Sequence, residues 1–419
     1  MTTVQDATLE FLRSVGADTL FGNPGSTELG LLNKWPSDIR YVLGLHEASV
    51  VGMADGYARA TGKAAFVNLH SAAGVGHALG NVYTAFRNRT PMVIIAGQQS
   101  RELLPHQPFL GATEAPQFPR PYVKFSIEPA RPEDVPAAIA QAYRMAMQRP
   151  WGPTFVSVPA DDWAVPCKLL PQRHVSADTA PDPDLIKSAA QTISKARQLA
   201  FVVGTEVDEE GVGPELVKLA EQAGAAVYTA PFAARITFPE NHPQFAGFLP
   251  ASPTKVSDTL TQYDVVVVIG APVFTYHVPG TSALADGKVQ IIQLTCDPTT
   301  AAVAVAGDSI VGSLKHGIPA LASQIEVSNR TVSVARAPIQ EPKAGKTISP
   351  AVLVHRLGQQ MSPDMVLVEE APSIRPIMQE YIRLNEWGSF FTMSSGGLGY
   401  SLPAAVGHAL RAPSAQRSA

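Results

Sequence analysis

The chain has 419 residues, of which 45% are hydrophobic and 16% are charged, and its formal net charge is −4 at pH 7. This composition predicts a large, well-packed globular protein of about three domains. The sequence contains no basic run and no apolar stretch of ~18 residues, which argues against partners such as nucleic acid or a membrane. Its two cysteines lie far apart and the amino terminus has no basic segment, so we expect a cytoplasmic protein without disulfides, a signal peptide or a metal-ligand motif.

The first part of the chain alternates between helical and strand-like patterns. Strands separated by helices need crossover connections, which give a parallel sheet covered on both faces. Helices are predicted at 4–15, 47–61, 74–89 and 136–148, and strands at 19–21, 41–45, 64–68, 92–96 and 154–158.

Two further α/β units are predicted after linkers at 168–184 and 326–347, both rich in polar residues and proline. In the second unit we predict strands at 199–203, 265–269 and 289–295 and a helix at 214–223. In the third we predict helices at 350–360, 374–383 and 401–410 and strands at 365–369 and 390–392. The fold class is therefore α/β with three doubly wound parallel-sheet domains, at 1–170, 183–326 and 348–419, and the third is too short to be complete.

Three polar residues each follow a separate strand of the first sheet. These are Ser26, Glu47 and His70. The carboxyl ends of parallel strands meet at one edge, which is where ligands of open α/β sheets bind. Each residue also has an ordinary structural interpretation. Ser26 could cap a turn, Glu47 could compensate a helix dipole, and His70 could be a hydrogen-bonded core residue.

Two glycine-containing segments later in the chain are further candidates. His277 ends the segment Gly270–His277, which follows the strand at 265–269. The segment Ser394–Tyr400 contains Gly396, Gly397 and Gly399 between a predicted strand and a helix, but it matches neither the dinucleotide fingerprint nor the P-loop. Adjacent glycines permit a backbone carbonyl to approach a ligand closely.

From near residue 5 to about residue 411, the chain resembles the thiamine diphosphate-dependent 2-oxo acid decarboxylases, most closely the branch that acts on benzoylformate. The resemblance is carried by these motifs: Phe21-Gly22-Asn23-Pro24-Gly25-Ser26, the surroundings of Glu47, Asn68-Leu69-His70-Ser71-Ala72-Ala73-Gly74, Ala96-Gly97-Gln98-Gln99, Ser157-Val158-Pro159, Gly270-Ala271-Pro272-Val273-Phe274 and Gly396-Gly397-Leu398-Gly399.

The resemblance implies a carboxy-lyase that converts benzoylformate to benzaldehyde and carbon dioxide through a thiamine ylid, as in the mandelate pathway. It implies pyrimidine-binding, central and diphosphate-binding domains, and homotetramers (dimers of dimers) with sites between subunits. Glu47 would contact the aminopyrimidine, Ser26 the substrate carboxylate, and His70 and His277 would transfer protons. Further cofactor contacts would come from Asn23, Pro24, Gly25, Ser373, Gly396 and Leu398.

The sequence also departs from the family pattern. The family binds the diphosphate of its cofactor through Mg²⁺ with a Gly-Asp-Gly segment and a later Asn-Asn pair, and this chain contains neither. We therefore expect a truncated or frameshifted gene product, or a fragment, and weak or absent cofactor binding. In the substrate pocket, Thr392 falls where the family has phenylalanine, while Phe109 and Leu110 would supply an apolar wall.

Two alternatives to the decarboxylase stay open. One is a carboligase of the acetolactate synthase type, against which His70 and His277 argue, because a ligase needs fewer proton donors. The other is a catalytically silent chain that folds and assembles without turnover, which the missing Gly-Asp-Gly segment favours.

Overall fold

The computed structural model describes residues 1–411, except residues 331, 333, 335 and 344. Its residues form two compact units. Unit 1 contains residues 1–177 and the segment from residue 393 onward, and unit 2 contains residues 178–392. The predicted linkers at 168–184 and 326–347 form neither helix nor strand in most of their described residues.

Unit 1 is built on a six-stranded parallel sheet with the order β2-β1-β3-β4-β6-β5. Its strands are β1 Thr19–Asn23, β2 Arg40–Leu43, β3 Ala65–Leu69, β4 Met92–Gln98, β5 Ser126–Ile127 and β6 Pro153–Pro159. Its first helices are α1 Val4–Ser14, α2 Leu29–Leu32, α3 Glu47–Thr61, α4 Ser71–Arg87 and α5 Val135–Met147.

Successive side chains along the strands of unit 1 point to opposite faces of the sheet, and each face packs into its own hydrophobic cluster. Leu20 and Phe66 point into a cluster with residues of α1 and α5. Their neighbours Phe21 and Val67 point into the opposite cluster, with residues of α3 and α4. Because both faces are covered, the strands read as continuous apolar runs, as predicted for a parallel sheet.

Unit 2 repeats this design with the strand order β12-β11-β10-β7-β8-β9, again parallel throughout. Its sheet strands are β7 Leu199–Val203, β8 Ala226–Thr229, β9 Phe245–Phe248, β10 Val265–Ile269, β11 Gln290–Thr295 and β12 Asp308–Val311. Its helices along this stretch are α6 Pro183–Lys195, α7 Glu206–Glu209, α8 Gly213–Ala223, α9 Pro253–Leu260, α10 Pro298–Ala302 and α11 Leu314–Ala322.

The last part of the described chain is shared between the units. Helices α12 Pro350–Gln360 and α13 Arg375–Tyr381 belong to unit 2, together with the parallel pair β13 Leu367–Glu369 and β14 Phe390–Thr392. Helix α14 Ser401–Ala409 packs on α3 in unit 1. The end of the predicted third domain, residues 412–419, lies outside the described residues.

The predicted α/β class is confirmed by these two six-stranded parallel sheets with intervening helices. Among the helices of the described residues, none combines the length and apolar character that a bilayer span requires.

Candidate active site

The loops after β1, β2 and β3 open at the carboxyl edge of the unit 1 sheet. They place Ser26, Glu47 and His70 at this common edge, as the order of the strands predicts. Gly74 of α4 lies next to both Glu47 and His70. A Cβ added there would be 3.4 Å from Oε1 of Glu47 and 3.6 Å from Cβ of His70.

Glu47 is the first residue of α3, and only 8% of its surface is exposed. The Asn23 amide donates to Oε1 at 3.1 Å, and Oε2 lies 3.1 Å from Nδ1 of His77 on α4. The helix is capped by another residue, since Nδ1 of His46 accepts from the Ala48 N–H at 3.2 Å. The Glu47 carboxylate is therefore not needed as a cap, and its location in the first turn is electrostatically favourable for an anion.

His70 is held by a buried carboxylate that sequence reasoning did not assign to the site. Its Nδ1 lies 2.9 Å from Oε2 of Glu28, which is 1% exposed, and 3.1 Å from Oγ1 of Thr27. Because a carboxylate only accepts, this contact places the proton of a neutral ring on Nδ1 and leaves Nε2 as an acceptor. The Gly25 N–H and the Thr27 hydroxyl fix Glu28 by donating to its two oxygens at 2.7 and 2.6 Å.

The loop after β1 depends on a glycine in contact with the imidazole. A Cβ added to Gly25 would lie 2.3 Å from Nδ1 of His70, so any side chain there would displace the ring. Ser26 begins a short 3₁₀ turn that ends at Glu28, and Gly25 occupies the cap position. The alternative interpretation of Ser26 as the cap of this turn is therefore wrong, and its side chain is exposed at the sheet edge.

The predicted apolar wall is a loop anchored near His70. Phe109 is 87% exposed and Leu110 is 37% exposed. The Leu110 carbonyl accepts from the Ser71 hydroxyl at 2.5 Å, and Ser71 has a φ of 49°, in the left-handed region that a non-glycine residue rarely adopts. This bond joins the loop to the start of α4, one residue after His70.

The glycine-rich segment with Gly396 and Leu398 also belongs to unit 1. Gly396 has a φ of 73°, which favours glycine, and Leu398 is 77% exposed. The segment is attached to α4 through the hydroxyl pair of Thr84 and Ser395, at 2.9 Å.

The other predicted site residues belong to unit 2. His277 is exposed, donates its backbone N–H to the Ala251 carbonyl at 3.0 Å, and packs edge-on against Phe232. Ser373 is exposed just before α13. Thr392 is fully buried, and its hydroxyl accepts from Arg375 at 2.5 Å.

The residues at the edge of unit 1 fit the pyrimidine end of thiamine diphosphate. A nearly buried carboxylate, held by the Asn23 amide, can share a proton with a ring nitrogen, and Gly74 places no side chain beside it. The diphosphate end is different, because the 419 residues contain neither Gly-Asp-Gly nor adjacent asparagines. Hard oxygen ligands for Mg²⁺ would be needed there.

Comparisons with known proteins identify the family of the chain. Residues 2–118 match the family model of the thiamine pyrophosphate enzyme N-terminal TPP binding domain, and residues 186–321 match the central domain of the same enzymes. The chain is 40% identical to a benzoylformate decarboxylase of Pseudomonas aeruginosa, across 99% of this chain and 80% of that protein.

Two solved structures share the fold. Benzoylformate decarboxylase from Polynucleobacter necessarius has a TM-score of 0.94 and 41% identity, over 98% of this chain and 78% of that one. The thiamine diphosphate-dependent 4-hydroxybenzoylformate decarboxylase of Rhodococcus jostii RHA1 has a TM-score of 0.91 and 38% identity, over 97% and 78% of the two chains. The chain belongs to the family of thiamine diphosphate-dependent enzymes.

Proposed function

We propose that this protein is a carboxy-lyase that decarboxylates an aromatic 2-oxo acid, converting benzoylformate to benzaldehyde and carbon dioxide with thiamine diphosphate. The observation that carries the proposal is the pair of supported side chains at one sheet edge, Glu47 with Asn23 and His70 with Glu28. The similarity to decarboxylases of benzoylformate and 4-hydroxybenzoylformate supports the substrate class.

Thiamine diphosphate, when bound, supplies the carbon nucleophile and the electron sink that decarboxylation requires. Glu47 holds the aminopyrimidine by sharing a proton with a ring nitrogen, and Asn23 orients the carboxylate by donating to its other oxygen. Asn23, Pro24, Gly25, Ser373, Gly396 and Leu398 are the further residues that we assign to cofactor binding.

Ser26 and His70 act on the substrate. The exposed Ser26 hydroxyl donates to the substrate carboxylate, and His70 presents Nε2 as the atom that takes up or returns a proton, because Glu28 fixes Nδ1. His277 is assigned the second proton transfer. Phe109 and Leu110 form the wall against which an aromatic ring packs, whereas Thr392, which is fully buried and accepts from Arg375, does not contact the ring in this assignment.

Other features follow from the same assignment. We propose Mg²⁺ as the companion of the diphosphate, a dimer of dimers, a cytoplasmic location and a role in the mandelate pathway. We also propose a division into a pyrimidine-binding domain at 1–170, a central domain at 183–326 and a diphosphate-binding domain at 348–419.

The test is carbon dioxide release from benzoylformate by the 419-residue chain at millimolar thiamine diphosphate and Mg²⁺. We expect turnover that His70→Asn lowers by on the order of 100-fold, because a positioned proton donor contributes about that factor. His174→Asn, in an exposed part of the predicted linker, is the matched control and should not change the rate.

Two results would contradict the proposal. The folded chain would be silent if it released no carbon dioxide at any cofactor concentration. It would be a carboligase of the acetolactate synthase type if it instead formed acetolactate from pyruvate.

A further inference from the structure

Three potential metal ligands meet at the start of α3. His46, Glu47 and His77 each offer one ligand atom, and these atoms all lie within 4.8 Å of one another. The rings of His46 and His77 are stacked with centroids 5.6 Å apart. Both histidines are exposed, whereas Glu47 is nearly buried. The function proposed above uses Glu47 but gives neither histidine a role.

The spacing of two of these atoms is already close to that of a metal site. Oε2 of Glu47 and Nδ1 of His77 are 3.1 Å apart. Ligands at about 2.0–2.2 Å from a tetrahedral zinc ion are roughly 3.4 Å from each other, so the pair needs only a small shift to bind one. Imidazole nitrogens with one carboxylate suit zinc and its neighbours, whereas Mg²⁺ prefers six oxygens in octahedral geometry.

We propose that the cofactor-free protein binds one divalent transition-metal ion of the zinc class through His46, Glu47 and His77, with water as the fourth ligand. The ion binds the Glu47 carboxylate, which contacts the aminopyrimidine in the function proposed above. The exclusion of the cofactor by the metal rests on that proposed function. Metal and cofactor then exclude each other, and zinc is a competitive inhibitor of cofactor binding.

The three ligands do not contribute equally. Nδ1 of His46 accepts the Ala48 N–H that caps α3. If His46 binds the metal through Nδ1, it gives up this cap. If it binds through Nε2, its proton must move to Nδ1, which then no longer accepts. Either route sacrifices the cap and so opposes metal binding by His46. His77 gives up only its contact with Glu47, so it should be the stronger histidine ligand.

Cobalt(II) is a suitable probe, because it occupies zinc sites and shows a visible absorption band in tetrahedral coordination. We expect the cofactor-free chain to show this band with one Co²⁺ bound, to lose it on addition of Zn²⁺, and to keep it when Mg²⁺ is added. His77→Asn and Glu47→Gln should each weaken Co²⁺ binding by at least ~10-fold, and His46→Asn by less than His77→Asn. His174→Asn is the matched control, and its Co²⁺ affinity should be unchanged.

The outcomes separate the metal site from the proposed function. Absence of the band, or equal affinity of the wild-type chain and His77→Asn, overturns the metal site. Because His77 is exposed on a helix, we expect His77→Asn to fold, and circular dichroism verifies this. In the second arm, added thiamine diphosphate should remove more of the band than the same concentration of inorganic diphosphate, which chelates Co²⁺ in solution but has no aminopyrimidine to compete for Glu47. If Co²⁺ stays bound at a thiamine diphosphate concentration that supports decarboxylation, the exclusion is wrong while the metal site and the proposed function both stand.

Discussion

The substitution Gly56→Ala tests how closely α3, which begins at Glu47, packs on α14. A Cβ at position 56 would lie 2.1 Å from the Ala404 carbonyl oxygen, and the reciprocal Cβ at Gly407 would lie 1.9 Å from the Met53 carbonyl oxygen. A carbon and a carbonyl oxygen in contact are about 3.3 Å apart, so the helices would have to separate by roughly 1 Å.

The free energy follows from two opposing effects. Alanine gains about 1 kcal/mol over glycine inside a helix, whereas overpacking against a rigid backbone costs about 3 kcal/mol. The separation also strains a buried contact between the two helices, in which the Tyr400 hydroxyl donates to Asp55 at 2.7 Å. We therefore expect Gly56→Ala to lower the free energy of unfolding by about 2 kcal/mol.

Gly80→Ala is the matched control, since Gly80 lies within α4 and an added Cβ there meets nothing within 4 Å. This variant should gain about 1 kcal/mol, the intrinsic helix preference of alanine. Urea unfolding followed by circular dichroism measures both variants, with the midpoint compared at constant m-value. If Gly56→Ala were as stable as Gly80→Ala, the close contact of α3 and α14 would be refuted.

Three further predictions address a buried acid, the imidazole and the cofactor. Burial raises the pKa of Glu240 to about 7 from an ordinary value of 4.5, against the opposing effect of Arg336. The folded state thus binds this proton more tightly than the unfolded state. The free energy of unfolding should therefore fall by up to about 3 kcal/mol as the pH rises from 4.5 to 7. Urea titrations at several pH values measure this slope, and Glu240→Gln should remove it. Glu28→Gln replaces the carboxylate beside His70 and should lower kcat for benzoylformate on the order of 10-fold or more and shift its pH profile, whereas an unchanged profile would contradict a role for Glu28. Calorimetry of the 419-residue chain with thiamine diphosphate and Mg²⁺ should give at best a millimolar dissociation constant, because Gly-Asp-Gly is absent, and micromolar binding would contradict this.

Elements with clear boundary signals could be predicted from the sequence. Helix α3 runs from Glu47 to Thr61 as predicted, because Gly62 ends it in the left-handed region with a φ of 68°. Strand β10, five consecutive β-branched residues, also has its predicted bounds. Short strands such as β5, with two residues, carry too little periodicity to be recognised.

The candidate site was predictable at the level of the sheet edge but not of side-chain pairs. The rule that ligands bind at strand ends is enough to group Ser26, Glu47 and His70. The pairing of Glu28 with His70 depends on the 3₁₀ turn that directs Glu28 back to the Gly25 N–H, and the acid three residues after Gly25 was the available signal. The approach of His77 to Glu47 depends on how α4 packs against α3, which no local pattern specifies.

The central claim is that Glu47 activates the cofactor through its aminopyrimidine. The most direct measurement is the exchange of the thiazolium C2 proton for deuterium, followed by proton NMR with the cofactor in excess over the protein, so that weak binding does not hide catalysis. We predict that the wild-type chain and the surface control Glu10→Gln accelerate the exchange over buffer and that Glu47→Gln loses a factor of about 100 or more. Exchange in Glu47→Gln as fast as in the wild-type chain would contradict the claim.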